Sequence, residues 1–327
     1  MKLIAFEVRD DEMSTFTRLE KEHDLEIAYY PFPVSTENVD LVNGYEYMTT
    51  LGMSHLDSEL LDQLHKRGIR FLNTRTIGYN HIDISHANEL GMVVSNTYYG
   101  PYGVADYAIM LILMSLRHYK QALFRGNVND YSLTGLQGME MRNLTVGVIG
   151  TGKIGAAVIE NLQGFRCKVL AYDVYHNPNL KGLADYVSLE ELYNRCDIIT
   201  LHTPLLESTY HMINKDTIGQ MKDGVIIINC ARGPLICLED LINAVESKKV
   251  GAVGLDVVEH EEGIYHRDLR SDIIRNRDMA YLRQFPNVTM TQHMAFYTKE
   301  AVESMVVYSI KNLMQCKETG TCDMALK

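Results

Sequence analysis

The sequence has no excess of positive charge. It carries 31 lysine and arginine residues against 42 aspartate and glutamate residues, which gives a formal net charge of −11. Proteins that bind nucleic acid or an anionic membrane neutralise phosphates with a basic surface, and this composition does not provide one. We therefore expect neither nucleic acid nor a membrane as a partner. A small anionic substrate would have to be held by local cations.

Long apolar runs are also absent. No uninterrupted apolar segment is long enough to span a bilayer, and the apolar stretch in residues 1–10 is too short for a signal peptide. We therefore expect a cytoplasmic protein. At 327 residues the chain exceeds the size at which a single hydrophobic core stops growing, which predicts two domains.

The sequence lacks the cysteine and histidine spacings of a metal site. Its six cysteines contain no C-x-x-C pair, and its 12 histidines include no H-E-x-x-H motif. Scattered cysteines of this kind are typical of reduced thiols in a cytosol. We expect no metal and no disulfide framework.

A glycine-rich motif in the middle of the chain indicates a dinucleotide site. The apolar run Thr145–Ile149 leads into the G-x-G-x-x-G segment Gly150-Thr151-Gly152-Lys153-Ile154-Gly155, and a second strand-like run ends in Asp173. The glycines allow a tight turn and a close approach of the pyrophosphate to the helix N-terminus, and the acid takes the ribose hydroxyls. Because a carboxylate would repel a ribose 2′-phosphate, the motif favours NAD over NADP.

Strand-like runs alternate with helical ones along most of the chain, as in parallel sheets with crossover helices. The predicted strands are Leu3–Val8, Tyr47–Thr50, Ile69–Asn73, Met92–Ser95, Thr145–Ile149, Lys168–Tyr172, Ile198–Leu201, Val225–Asn229 and Gly251–Leu255, with a last piece at Val288–Thr291. The glycine motif marks the first strand of the second sheet, so the residues before it form another α/β unit.

Two further segments show helical spacing of apolar residues, 102–119 and 298–314. We expect the first to be a buried helix at an interface and the second to return to the first domain. The sequence therefore predicts an α/β protein with two doubly wound parallel-sheet domains, Rossmann-like and flavodoxin-like. The NAD-binding domain, 101–295, would be inserted into a discontinuous substrate domain, 1–100 and 296–327. Residues 259–284 read as a long loop with at most one short helix.

Three candidate catalytic residues follow strands of the second sheet: Arg232, Glu261 and His293. Open α/β sheets bind ligands at the carboxyl ends of their strands. Hydride transfer to a 2-keto acid needs a cation for the carboxylate, a proton donor for the developing alkoxide and a partner for that donor. Arginine suits the first role through its planar fork, histidine the second, and a carboxylate beside the imidazole favours its charged form.

At this point the chain resembles the D-isomer specific 2-hydroxyacid dehydrogenase family, closest to its D-lactate and D-2-hydroxyisocaproate dehydrogenase branch, which includes the VanH type. The motifs that carry the resemblance are 74–83 (TRTIGYNHID), 150–155 (GTGKIG), 201–205 (LHTPL), 229–235 (NCARGPL), 254–257 (GLDV) and 293–298 (HMAFYT). The resemblance covers nearly the whole chain.

The resemblance implies roles for further residues. It makes Arg232 the substrate-binding cation, His293 the acid/base and Glu261 its partner. Backbone N–H groups of Ile77 and Gly78 would hold the substrate carboxylate, Tyr99 would face the substrate, and Phe296 and Leu51 would shape the pocket for the side chain at C2. The implied cofactor contacts, beyond the glycine motif and Asp173, are His202, Thr203, Pro204, Cys230, Ala231 and Asp256.

We predict an NAD-dependent enzyme that reduces pyruvate to D-lactate, with a homodimer as its assembly. A dehydrogenase for bulkier branched or aromatic 2-keto acids stays open, because residues 98–102 and Met294 depart from the family pattern near the substrate. An NAD-sensing binding protein similar to the C-terminal-binding co-repressors is an alternative from another class. The absence of added tails and the complete catalytic set argue against it.

Overall fold

The computed structural model describes residues 1–327. The chain forms two compact units: unit 1 comprises Met1–Gly100 and Tyr297–Lys327, and unit 2 comprises Pro101–Phe296. The elements of unit 1 are β1 (Lys2–Ala5), α1 (Met13–His23), β2 (Glu26–Tyr29), β3 (Tyr47–Thr50), α2 (Ser58–Lys66), β4 (Phe71–Thr74), α3 (Ile84–Glu89), β5 (Val93–Ser95) and, from the end of the chain, α11 (Lys299–Thr319).

Unit 2 holds the elements between them in the sequence. These are α4 (Tyr102–Leu116), α5 (Tyr119–Asn127), β6 (Thr145–Ile149), α6 (Lys153–Leu162), β7 (Lys168–Tyr172), β8 (Asp185–Tyr186), α7 (Leu189–Arg195), β9 (Ile198–Leu201), α8 (Lys215–Gln220), β10 (Val225–Asn229), α9 (Leu238–Glu246), β11 (Val250–Leu255), α10 (Arg277–Leu282) and β12 (Val288–Met290).

The sheet of unit 2 has seven strands in the order β12-β11-β10-β9-β6-β7-β8, and every pairing is parallel. Strands β9 and β10 are buried along their whole length, because helices cover both faces of a sheet of this kind. The strand order reverses between β6 and β9, and doubly wound sheets bind ligands at that switch point.

The sheet of unit 1 has five parallel strands in the flavodoxin-like order β2-β1-β3-β4-β5. Helix α11 packs its Val306 and Ile310 against Leu3, Phe16 and Leu19, so the end of the chain completes the first core. The predicted fold class, two doubly wound sheets with one unit inserted into a discontinuous other, is confirmed.

The predicted elements differ from the observed ones where the chain bends or runs along an edge. The first strand ends at Ala5 instead of Val8, because Glu7 adopts a left-handed backbone with φ of 57°. The helix that begins at Tyr102 ends at Leu116, and His118, with φ of 49°, separates it from α5. Strands β2 and β8 were missed because short edge strands lack a fully apolar run. In residues 259–284 the one helix is α10, as predicted.

None of the helices has an apolar stretch long enough to cross a lipid bilayer.

Candidate active site

The glycine motif forms the turn between β6 and α6. Gly150 has a positive φ of 93°, and a Cβ on Gly155 would lie 1.9 Å from the Gly150 carbonyl oxygen, so the helix packs on the turn only without a side chain there. A Cβ on Gly152 would meet nothing within 4 Å. The turn therefore has the tight bend, the close packing and the open approach that a pyrophosphate at a helix N-terminus requires.

Asp173 follows β7 and reaches back to this turn. Its Oδ2 accepts hydrogen bonds from the backbone N–H of Thr151 at 2.5 Å and from the Thr151 hydroxyl at 3.1 Å, and its Oδ1 accepts one from Tyr175 N at 3.1 Å. Burial raises the pKa of this carboxyl, but these hydrogen bonds lower it, and the pKa lies below its usual value. The group is charged at neutral pH and retains an acceptor position on Oδ1 for a ribose hydroxyl.

The other predicted cofactor residues lie at the carboxyl ends of β9 and β10. His202, Thr203 and Pro204 follow β9, and the His202 backbone N–H donates to Ile149 O at 2.7 Å, which ties this loop to the end of β6. The Nδ1 of His202 is buried without a protein partner, and burial lowers the pKa of this imidazole to about 4. It is therefore neutral at pH 7.

Cys230 and Ala231 follow β10. Cys230 is buried, and burial raises the pKa of its thiol well above the usual value, so it is an uncharged thiol at neutral pH. The Ala231 backbone N–H donates to Asn229 Oδ1 at 2.9 Å.

Glu261 and His293 are in direct contact. Glu261 Oε1 accepts a hydrogen bond from His293 Nδ1 at 2.5 Å, and Glu261 Oε2 accepts one from Val258 N at 2.8 Å. The carboxylate thus orients the imidazole through one oxygen, and the backbone after β11 orients the carboxylate through the other. With Nδ1 engaged, Nε2 is the ring nitrogen that can exchange a proton with a substrate.

Arg232 lies on the loop after β10, and β10, β11 and β12 are neighbours in the sheet. The side chain of Asn229, fully buried, donates from Nδ2 to Arg232 O at 2.8 Å and fixes this loop. The three candidate catalytic residues therefore follow three adjacent parallel strands at one edge of the sheet.

Asp256 directly follows β11 and organises the His293 loop. Its fully buried carboxylate accepts hydrogen bonds from Thr291 Oγ1 at 2.6 Å, Met294 N at 2.9 Å and Ala295 N at 2.7 Å, and its backbone carbonyl accepts one from His293 N at 2.8 Å. His293 has a left-handed backbone with φ of 53°. Such strain in a residue other than glycine persists where the surroundings hold it, and it concentrates at functional sites.

The remaining predicted substrate residues are divided between the units. Phe296 belongs to unit 2, and its ring centroid lies 6.4 Å from that of His293. Leu51, Ile77, Gly78 and Tyr99 belong to unit 1.

In unit 1, Leu51 follows β3, and Ile77 and Gly78 lie on the loop after β4. Side chains hold the carbonyls of these two loops: Thr74 Oγ1 donates to Leu51 O at 2.9 Å, Asn96 Nδ2 to Ile77 O at 2.8 Å and Thr76 Oγ1 to Gly78 O at 2.6 Å. These bonds fix the loop whose N–H groups were predicted to bind a carboxylate, and that role stays a prediction.

Residues 109–295 match the model of a known family, described as D-isomer specific 2-hydroxyacid dehydrogenase, NAD binding domain. The chain belongs to the D-isomer specific 2-hydroxyacid dehydrogenase family. It is an NAD-dependent enzyme of this family that acts on a small 2-keto or 2-hydroxy acid, and the open glycine turn and charged Asp173 fit NAD.

Relatives in this dehydrogenase family match along the whole chain. An aromatic 2-oxoacid reductase of Clostridium sporogenes is 41% identical over 324 residues, 98% of each chain. The D-lactate dehydrogenase of Lactiplantibacillus plantarum is 38% identical over 332 residues, 100% of this chain and 99% of the relative. Among solved structures, the NAD complex of the Lactobacillus delbrueckii enzyme has a TM-score of 0.87 at 28% identity and covers all of both chains.

Two polar contacts near the candidate catalytic residues were not predicted from the sequence. Asn229 donates a hydrogen bond to the backbone carbonyl of Arg232, and the buried carboxylate of Glu259, two residues before Glu261 in the chain, accepts one from His211 Nε2 at 2.7 Å. The signal for Asn229 was available, because a polar residue at the end of a fully buried strand needs a partner. Glu259 had no such signal, since its pair lies 48 residues away.

Proposed function

We propose that His293 is the acid/base of this dehydrogenase, that Glu261 positions it, and that Arg232 binds the carboxylate and ketone oxygen of the substrate. The observation that carries the proposal is the bond between Glu261 and His293 Nδ1 at 2.5 Å, at the same sheet edge as Arg232. A proton donor held by a carboxylate and a cation with a planar fork are the two groups that ketone reduction needs.

Bound NADH supplies the hydride. The protein would supply the proton from His293 Nε2 to the developing alkoxide, while Glu261 keeps the imidazole in the tautomer that presents Nε2. Arg232 would place the carboxylate and polarise the ketone. Ile77 and Gly78 would bind the same carboxylate through their N–H groups, Tyr99 would face the substrate, and Phe296 and Leu51 would shape the pocket for the side chain at C2. His202, Thr203, Pro204, Cys230, Ala231 and Asp256 would surround the cofactor.

As the substrate we retain pyruvate, reduced to D-lactate. The match to the D-lactate dehydrogenase of Lactiplantibacillus plantarum over the whole chain supports this assignment. A second candidate is an aromatic 2-keto acid. The greater identity to the aromatic 2-oxoacid reductase of Clostridium sporogenes and the ring of Phe296 next to His293 favour it.

The deciding experiment measures NADH oxidation by the purified protein with pyruvate, 2-ketoisocaproate and phenylpyruvate, with NADH binding measured in parallel. A higher kcat/KM for pyruvate supports the D-lactate assignment, and a higher value for phenylpyruvate supports the aromatic one. Binding of NADH with no turnover of any of the three would contradict the proposed function and favour an NAD-sensing role.

We also propose a homodimer in the cytoplasm. Helices α4 and α5 and the following loop expose many large apolar side chains, among them Tyr119, Leu123, Phe124, Tyr131 and Leu133. Large patches of exposed apolar side chains mark protein interfaces. The six cysteines are free thiols, which agrees with a reducing compartment.

A further inference from the structure

His266 lies next to the proposed acid/base, and it belongs to none of the motifs in the sequence. Its Nε2 is 3.0 Å from the backbone carbonyl oxygen of His293. A carbonyl only accepts, so His266 Nε2 carries a hydrogen and donates it. His266 also has a left-handed backbone with φ of 60°, a conformation that residues other than glycine seldom adopt.

The turn that presents His266 begins at Glu261. The N–H groups of Ile264 and Tyr265 donate to Glu261 O at 3.0 and 3.3 Å, and both side chains pack against the core of unit 2. This turn therefore makes two hydrogen bonds to His293, one between the Glu261 carboxylate and the imidazole and one from His266 to the backbone carbonyl. The two hydrogen bonds hold the exposed His266 ring close to His293.

Three rings meet at this point. The centroid of His266 lies 6.0 Å from that of His293 and 6.3 Å from that of Phe296, at angles of 49° and 68°. Phe296 is 6.4 Å from His293 at 83°. The two contacts of Phe296 are edge-to-face, the two histidine rings are tilted, and all three distances are in the range of ring packing.

A keto acid reduced at this site has its C2 next to His293. The ketone oxygen must come within hydrogen-bond reach of Nε2, so C2 lies within about 4 Å of that atom. A substituent on C2 is then close enough to contact rings whose centroids lie about 6 Å from the imidazole. We propose that His266 is a specificity-determining residue: its ring and that of Phe296 form an aromatic wall that contacts the side chain at C2. This inference rests on the proposed function.

Two substitutions separate the ring of His266 from its hydrogen bond. His266→Gln keeps a donor near the position of Nε2 and removes the ring, whereas His266→Phe keeps a ring and removes the donor. His23→Gln, an exposed histidine at the end of α1, serves as the matched control. For each protein, kcat and KM are measured with pyruvate and with phenylpyruvate, and the readout is the ratio of the two kcat/KM values.

We expect His266→Gln to lower the phenylpyruvate-to-pyruvate ratio of kcat/KM about 3- to 10-fold, the effect of one aromatic contact. His266→Phe keeps the ratio within about twofold of the unmodified enzyme, even where the lost hydrogen bond lowers kcat for both substrates. His23→Gln changes neither value.

An unchanged ratio in His266→Gln would overturn the inference, as would equal losses for both substrates or the same drop in ratio in His266→Phe. The unmodified enzyme is measured first to keep the two proposals apart. If it turns over neither keto acid, the proposed function fails and this inference fails with it. If it turns over either one and substitution of His266 leaves the ratio unchanged, only this inference fails.

Discussion

Glu261 connects the end of β11 to the loop that carries the proposed acid/base. One oxygen binds Val258 N and the other binds His293 Nδ1, so the side chain has no freedom to leave the imidazole without losing a second bond. Side chains locked in this way hold a catalytic group in its productive geometry without reorganisation during the reaction. The adjacent Glu262 is exposed and provides a natural comparison.

Glu261→Gln is expected to lower kcat for keto-acid reduction about 100-fold or more, because the amide removes the charge that stabilises the imidazolium and can select the wrong tautomer. NADH affinity should change by less than about threefold. The comparison is Glu262→Gln, in steady-state kinetics and NADH fluorescence titration. Equal effects of the two substitutions would remove the role assigned to Glu261.

The burial of His202 predicts a dependence of stability on pH. Its pKa is about 4 in the folded protein and about 6.5 in the unfolded chain, so between these values the unfolded chain binds more protons. Stability therefore falls as pH drops from 6.5 to 4, by about 2 kcal/mol from this group. The free energy of unfolding is measured with urea at pH 7 and at pH 4.5. Between these two values, His202→Gln should lose less of it than the unmodified protein, and His23→Gln should lose as much as the unmodified protein. Equal losses in all three proteins would refute the assignment.

At the scale of elements, the turn between β6 and α6 depends on two glycines for different reasons. At Gly155 a side chain would collide with the Gly150 carbonyl, a backbone atom that cannot move away cheaply. At Gly152 the added atom would meet only open space, where the pyrophosphate is expected to approach. We therefore expect packing and cofactor binding to be separable within this turn.

Gly155→Ala should lower the free energy of unfolding by about 2 kcal/mol or more, through forced displacement of the helix. Gly152→Ala should leave stability within about 0.5 kcal/mol yet weaken NADH binding at least about tenfold, since a methyl group blocks close backbone approach. Gly164→Ala, where an added Cβ would have no atom within 4 Å, is the control for both. Unfolding by denaturant gives the free energy of unfolding, and titration with NADH gives the affinity for the cofactor. Tight NADH binding by Gly152→Ala would refute the proposed contact.

For the whole molecule, the proposed homodimer rests on the exposed apolar side chains of α4, α5 and the following loop. Phe124 is 69% exposed and Leu133 is 83% exposed in the single chain. In a homodimer these residues would be covered by the second copy.

Light scattering should give twice the mass of one chain for the unmodified protein. Combined Phe124→Asp and Leu133→Asp should give the single mass, because charges at the centre of an apolar interface are costly to bury. Ile273→Asp, at another exposed apolar side chain, should stay dimeric. A single-chain mass for the unmodified protein would rule out the dimer.

Most of the architecture was readable from the sequence. Strands β9 and β10 are mostly apolar, with Thr200 and Asn229 as their only polar residues, and they were predicted with their observed bounds, because a strand buried on both faces leaves a nearly continuous apolar run. The inserted unit followed from the mid-chain position of the glycine motif. Strands β2 and β8 and helix α5 were not predicted, because at an edge or on a surface the local pattern is mixed.

The chemistry of the site was determined only in part by the sequence. Residue types and their places after strands predict Arg232, Glu261 and His293 as the catalytic residues, because parallel strands bring their carboxyl ends to one edge of the sheet, and that role stays a prediction. The tertiary structure alone shows which groups hold the loop of His293. The Asp256 carboxylate accepts hydrogen bonds from this loop, and His266 donates one to the backbone carbonyl of His293. These contacts depend on backbone turns and left-handed residues far apart in the chain, and no local periodicity encodes such distances.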